Sequence, residues 1–139
     1  MNSASNEGKS LDLKYIYRAL SYKHPIFNFY IHVYKMSSAQ GFITSIQPGR
    51  FTATFNIDDS VYVFSGDVNP PTQPFQSNSA TLEYNSVESL GGFQQFNGII
   101  GSGNEVSFTF SDGTAIKGPL DIPVNPASQV SGTGSWSLN

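Results

Sequence analysis

The sequence predicts an all-β domain, a compact antiparallel β-barrel of about eight short strands. Aromatic residues make up 14% of the 139 residues and charged residues only 12%, with 13 glycines and 8 prolines. This mixture is typical of short strands joined by turns. Residues 51–57 alternate between apolar and polar, so this segment has one face for a core and one for solvent.

The first 36 residues differ from the rest of the chain and are predicted to be an N-terminal extension to a β domain at 37–139. Residues 1–10 are polar, and we expect them to be disordered. Apolar spacing over 11–22 is compatible with a short helix, which Pro25 would end. The change in composition leads to the hypothesis that native translation starts at Met36. No signal peptide is recognisable, so we expect a soluble protein, either cytoplasmic or exported without such a signal.

The first strands are predicted to form an antiparallel meander between residues 40 and 65. Pro48-Gly49 and Asp58-Asp59 are turn sequences between them. Residues 61–64 are apolar at every position, as expected for a strand that is covered on both faces or lines a closed barrel. Residues 66–79 contain three prolines and are predicted to be irregular, which makes them the default location of a binding site.

The later chain repeats the strand pattern. Strands are predicted at 80–84, 93–100, 106–110, 114–117 and 130–138, with 120–124 as an edge strand at best. Residues 101–104 are a better turn than Asn97-Gly98 between the two middle strands. In the last strand the inward parity is predicted to hold Val130, Gly132, Gly134, Trp136 and Leu138. Glycines at that parity let a strand coil, as the closing strand of a barrel must.

Candidate core and binding residues follow from this pattern. The predicted structural residues are Phe51, Phe55, Phe64, Phe108, Phe110, Gly132, Gly134 and Trp136. Phe75 lies in the proline-rich segment, where the pattern does not imply burial. The candidate binding residues are Asn69, Gln73, Phe75 and Gln76, although Phe75 could equally close one end of the barrel.

Residue types limit the chemistry of the β domain. The chain has no cysteine, and both histidines precede residue 37, which removes thiol and imidazole catalysis and histidine-based zinc sites from the domain. We therefore expect no cofactor and no metal. Asp67, Glu83 and Glu88 could converge as a glycosidase pair, but their spacing does not require it. Residues 37–139 hold two basic and eight acidic residues, which argues against nucleic acid as a partner.

Three segments carry a resemblance to a known family. They are FSGD at 64–67, FTFSDG at 108–113 and SGTGSW at 131–136. At these positions residues 40–138 resemble the bacterial virulence-associated protein A family. The resemblance implies an eight-stranded antiparallel barrel of two Greek keys, without a known catalytic centre and with a role at host membranes. It implies no functional residues.

Three functions are consistent with the sequence. The first is a non-enzymatic interaction module, effector-like, that acts on a membrane or a protein. The second is a carbohydrate-binding, lectin-like domain that uses residues 66–79. The third is a small enzyme or a carrier of apolar ligands. A filled interior would favour the first, exposed loop aromatics the second, and an open apolar cavity with a buried Asp or Glu the third.

Overall fold

A computed structural model of the chain describes residues 36–139, which form one closed β-barrel. The strands are β1 Ser37–Gln47, β2 Arg50–Ile57, β3 Ser60–Asn69, β4 Gln76–Tyr84, β5 Gly92–Ile100, β6 Glu105–Phe110, β7 Ala115–Pro119 and β8 Ser128–Leu138. Short 3-10 helices at Val87–Ser89 and Ser102–Asn104 lie in two connections. The all-β prediction and its strand number are confirmed. The helix predicted over 11–22, with the extension up to residue 35, lies outside the described residues.

Two Greek keys build the barrel. Around its circumference the strand order is β1-β2-β3-β8-β5-β6-β7-β4. Three consecutive strands are followed in each half by a fourth that returns beside the first, so that β4 lies beside β1 and β8 beside β5. Because the sheet closes on itself, it presents no open edge. No helix within residues 36–139 has the length and apolar character that a membrane crossing needs.

The predicted meander is confirmed in β1, β2 and β3. Asp58 and Asp59 connect the paired residues Ile57 and Ser60, and their φ angles are 50° and 68°. Two successive left-handed residues form the hairpin turn whose twist matches that of the flanking strands. These two aspartates therefore serve as turn residues.

The irregular segment is shorter than predicted. Residues 66–69 continue β3 and pair with β8, with Gly66 opposite Gly134 and Asn69 opposite Ser131. The prediction of irregular backbone throughout 66–79 was wrong, because the three prolines all fall within residues 70–75 and a proline interrupts a ladder only near its own position.

The predicted strand at 120–124 is absent from the barrel. Leu120 and Val124 are buried, and the segment is a loop that covers one barrel end. The backbone N–H of Leu120 donates to the carbonyl oxygen of Asn104 at 2.9 Å, and that of Asp121 to Gln76 at 2.9 Å. A closed barrel offers no edge at which a further strand could pair, so the edge-strand interpretation fails.

Aromatic side chains fill the barrel interior. We call the seven rings that contact one another the ring cluster, which consists of Phe51, Phe64, Phe75, Phe96, Phe108, Phe110 and Trp136. Phe51 stacks on Phe108 with 4.7 Å between ring centroids, and Phe64 meets Phe110 edge to face at 4.9 Å. Phe55 is also fully buried.

Residues 61–64 were predicted either to be covered on both faces or to line a closed barrel. The barrel is closed, and Phe64 and Tyr62 pack into its interior, so the second interpretation is correct.

Two glycines of β8 make room for this cluster. A Cβ atom on Gly132 would overlap the carbonyl oxygen of Asp67 and lie 2.6 Å from Cζ of Phe96. A Cβ on Gly134 would overlap the carbonyl oxygen of Ser65 and lie 2.7 Å from Cζ of Phe64. Only glycine allows the backbone of β8 to come this close to the rings. Leu138 shares their parity but is 61% exposed, because it is the last residue of β8.

We predict that Gly132→Ala lowers the free energy of unfolding by about 3 kcal/mol, the upper part of the range for overpacking a core. The added methyl group must displace the backbone of β3 or the ring of Phe96. Gly91→Ala is the matched control, since a Cβ there has no neighbour within 4 Å. Its effect should stay within about 0.5 kcal/mol. Urea denaturation of the two variants measures both values, and equal stabilities would contradict the packing described for β8.

Candidate functional site

The fold does not place all four candidate binding residues from the sequence on one surface. Asn69 ends β3 and faces outward, and Gln73 is exposed in the connection to β4. Gln76 begins β4, and its side-chain amide donates to Oδ1 of Asn78 at 2.9 Å. Phe75, in contrast, is only 3% exposed. The proline-rich connection therefore does not present these four side chains as one surface.

Phe75 belongs to the ring cluster. Its ring centroid lies 6.0 Å from that of Phe51 and 6.4 Å from that of Phe108. Its carbonyl oxygen accepts a hydrogen bond from the N–H of Ser45 at 3.0 Å. The ring closes one end of the barrel, and neither of its faces is open to a ligand, so the binding role considered for it does not fit its position.

The fold separates Asp67 from Glu83, two of the three carboxylates in the glycosidase interpretation, while the third, Glu88, lies in the 3-10 helix after β4. Asp67 lies on β3 near the end of that strand, opposite Thr133 of β8. Glu83 lies on β4, near the other end of the barrel, opposite Ala115 of β7. Strands β3 and β4 are separated by β1 and β2 around the barrel. Within residues 36–139, no three side chains of the His, Cys, Asp and Glu types are grouped as a metal site would need.

A concave surface lies on the outside of the barrel. We call it the outer groove; it crosses β3, β8, β5 and β6 and has a volume of about 590 Å³. Polar side chains line it in two cross-strand rows. The first row is Asp67, Thr133 and Gln95, and the second is Asn69, Ser131, Asn97 and Thr109, with Ser111 beside them. Four strands about 4.8 Å apart give the rows a span of roughly 14 Å.

Small side chains on β8 explain why this surface is concave. Ser131 and Thr133 lie in the middle of the two rows, with the larger amides and the carboxylate on the strands at either side. Inside the barrel the residue between them is Gly132. Residues 131–133 of β8 therefore carry only small side chains on both faces, and they lie in the middle of the groove.

The groove contains few charges. Asp67 is its one ionisable side chain, and Nε of Arg50 donates to Oδ1 of Asp67 at 3.1 Å. Both side chains are more than half exposed, so this pair adds little to stability. Within the part of the chain that the structure describes, no other protein group hydrogen-bonds the side chains of Gln95 and Asn97. Their amide donors and acceptors are available to a ligand.

An exposed aromatic ring lies beside the groove. Phe93 is 70% exposed and precedes Gln95 by two residues on the outer face of β5. That spacing corresponds to about 7 Å along a strand. Ile99 follows Asn97 on the same face, beside a second hollow of about 420 Å³ that continues from the first. The outer face of β5 therefore presents a ring, two amides and an aliphatic side chain in line.

Sequence reasoning named Asn69 as a candidate but missed the rest of this surface. The sequence of residues 93–100 does not assign the outward face of β5, because Phe93 and Ile99 share one parity and Phe96 and Ile100 share the other. What the sequence does not contain is the neighbour relation between β3, β8, β5 and β6, which assembles the two rows.

Comparison with known proteins supplied no relative. No protein-family model matches the chain, and no curated protein or solved structure is significantly similar to it. The class is therefore defined by the fold alone, as a closed antiparallel barrel of two Greek keys. Its function has to be argued from the geometry.

We predict that Phe75→Ala lowers the free energy of unfolding by about 3–5 kcal/mol, as expected for the loss of a buried ring. Gln73→Ala, two residues away and exposed, should change it by less than about 0.5 kcal/mol. Chemical denaturation of both variants measures the difference. A Phe75→Ala variant as stable as Gln73→Ala would show that the ring does not close the barrel.

Proposed function

We propose that residues 37–139 form a non-enzymatic interaction module whose partner binds on the outside of the barrel. The observation that supports this proposal is the filled interior. Rings from five strands and the connection before β4 contact one another across the barrel axis, with centroid separations down to 4.7 Å. A ligand that entered the barrel would have to displace this packing, which costs several kcal/mol per ring.

The outer wall favours a polar partner. The outer groove is lined by amides and hydroxyls, and residues 37–139 carry two basic against eight acidic residues. Anionic surfaces, including nucleic acid and acidic lipid, need clustered lysine and arginine side chains. This argument favours a glycan or a protein over a membrane. The effector-like role at a membrane that the virulence-associated resemblance implies is a separate hypothesis, which lipid binding tests.

We predict that the full chain does not bind benzene saturably. Titration monitored by NMR should give no saturable shift of the buried ring and methyl signals. Phe51→Ala is the positive control, because removal of this central ring leaves an apolar cavity of the kind that takes up benzene. Saturable binding to the unaltered chain would favour an apolar-ligand carrier and contradict the proposal.

We also predict that the full chain stays at the bottom of a flotation gradient. Vesicles of phosphatidylcholine, with and without phosphatidylserine, are the probes. The first 36 residues hold five basic and two acidic residues, so a variant with Lys9, Lys14, Arg18 and Lys23 replaced by Gln is the control. Flotation that persists in this variant would make the bilayer the partner of the barrel and would contradict a polar partner.

A further inference from the structure

The outer groove has the chemistry of a carbohydrate site. Sugars present several hydroxyls, each a donor and an acceptor, around a ring whose faces are apolar C–H surfaces. Side-chain amides match this pattern because each offers two donors and an acceptor that lie in one plane. Gln95 and Asn97 lie next to each other on the outer face of β5, with Ser131 and Thr133 opposite them on β8.

Phe93 supplies the apolar component. Its ring is 70% exposed at the end of the row of amides. A role in the core therefore does not explain why an aromatic residue lies at this position. Exposed rings beside polar grooves bind apolar faces by stacking, and the phenyl ring brings this area at a small cost in conformational entropy. The short side chains of β8 likewise lose little freedom on binding.

Other ligand classes fit the groove less well. An extended peptide binds a sheet by adding a strand to an open edge, and the closed barrel has none. A helical peptide needs exposed apolar side chains in the groove, whereas Val68, Phe96 and Phe110 of the lining are buried and the exposed side chains are mostly Asn, Gln, Ser and Thr. Phosphorylated peptides and nucleic acids need clustered arginines. Arg50 is the single basic residue at this surface in the described part of the chain, and it is paired with Asp67.

We propose that the outer groove binds a neutral oligosaccharide, with Phe93 stacked on one sugar ring and Gln95 and Asn97 hydrogen-bonded to hydroxyls. This inference rests on the interaction module proposed above and names its ligand class and its site. The span of roughly 14 Å across four strands accommodates a short linear chain rather than a single sugar. We infer a neutral sugar because the groove holds no unpaired basic side chain, and the excess of acidic residues over residues 37–139 would repel an acidic sugar.

Glycan binding by the full chain tests the inference. A first screen uses immobilised neutral oligosaccharides of glucose, xylose, mannose, galactose and N-acetylglucosamine, together with heparin fragments and sialyllactose. Titration calorimetry then gives the affinity for the best neutral glycan. Phe93→Ala should weaken it about tenfold, from the loss of stacking. Asn97→Ala should weaken it about fivefold, from the loss of amide hydrogen bonds.

Matched controls distinguish binding in the groove from binding elsewhere on the outer surface of the barrel. Phe42 is a 45% exposed ring on β1, and Asn56 is an exposed amide on β2; both strands lie outside the groove. Phe42→Ala and Asn56→Ala should leave the affinity unchanged. In ¹⁵N–¹H spectra the glycan should shift the amide signals of β5 and β8 and leave those of β1 unchanged.

Three results would overturn the inference. They are binding to none of the neutral glycans, preference for the anionic ones, or binding that Phe93→Ala and Asn97→Ala leave intact. None of them affects the interaction module itself, which fails instead if benzene binds saturably in the interior of the unaltered chain.

Discussion

The rings of Phe64 and Phe96 fit inside this barrel because the neighbouring strand β8 has glycine at the points where it meets them. Phe64 and Phe96 lie against the backbone of β8 at Gly134 and Gly132, where a Cβ atom would be within 2.7 Å of each ring. The same two glycines let the carbonyl oxygens of β3 approach β8 closely. A side chain at either position would have to displace the backbone of β3 or one of these rings. The filled interior therefore depends on this fit.

The shape of the outer surface also depends on β8. β8 has glycine inside and serine or threonine outside, while its neighbours β3 and β5 carry Asp67, Asn69, Gln95 and Asn97. A thin strand between two strands with longer polar side chains makes a groove without any loop. The proposed site therefore lies on the sheet, whose closed hydrogen-bonded ladder holds its side chains more rigidly than a loop would. This pre-organisation lowers the entropic cost of binding.

The connections have a structural role at one end of the barrel. All seven prolines of residues 36–139 lie in or next to the turns at this end, where the ladder stops and a missing N–H costs nothing. Hydrogen bonds from Ser45 to Phe75, from Asp121 to Gln76 and from Leu120 to Asn104 join these connections to one another. Phe75, Leu120 and Val124 face inward and cover the rings. The proline-rich segment that was predicted as a binding loop therefore covers one end of the barrel.

The sequence by itself determined the strands, the inward and outward faces of most of them and most of the rings inside, because side-chain alternation along a strand is a local property. It also identified the turn at Asp58-Asp59, whose backbone requirement is local as well. Tertiary structure alone decided that residues 66–69 extend β3, that Phe75 faces inward and that 120–124 forms no strand. Each of these outcomes depends on which other segments of the chain the fold places next to the residues concerned. The groove is the clearest case: Asn69, Ser131, Asn97 and Thr109 come from four segments of the chain, and only the order β3-β8-β5-β6 places them in one row.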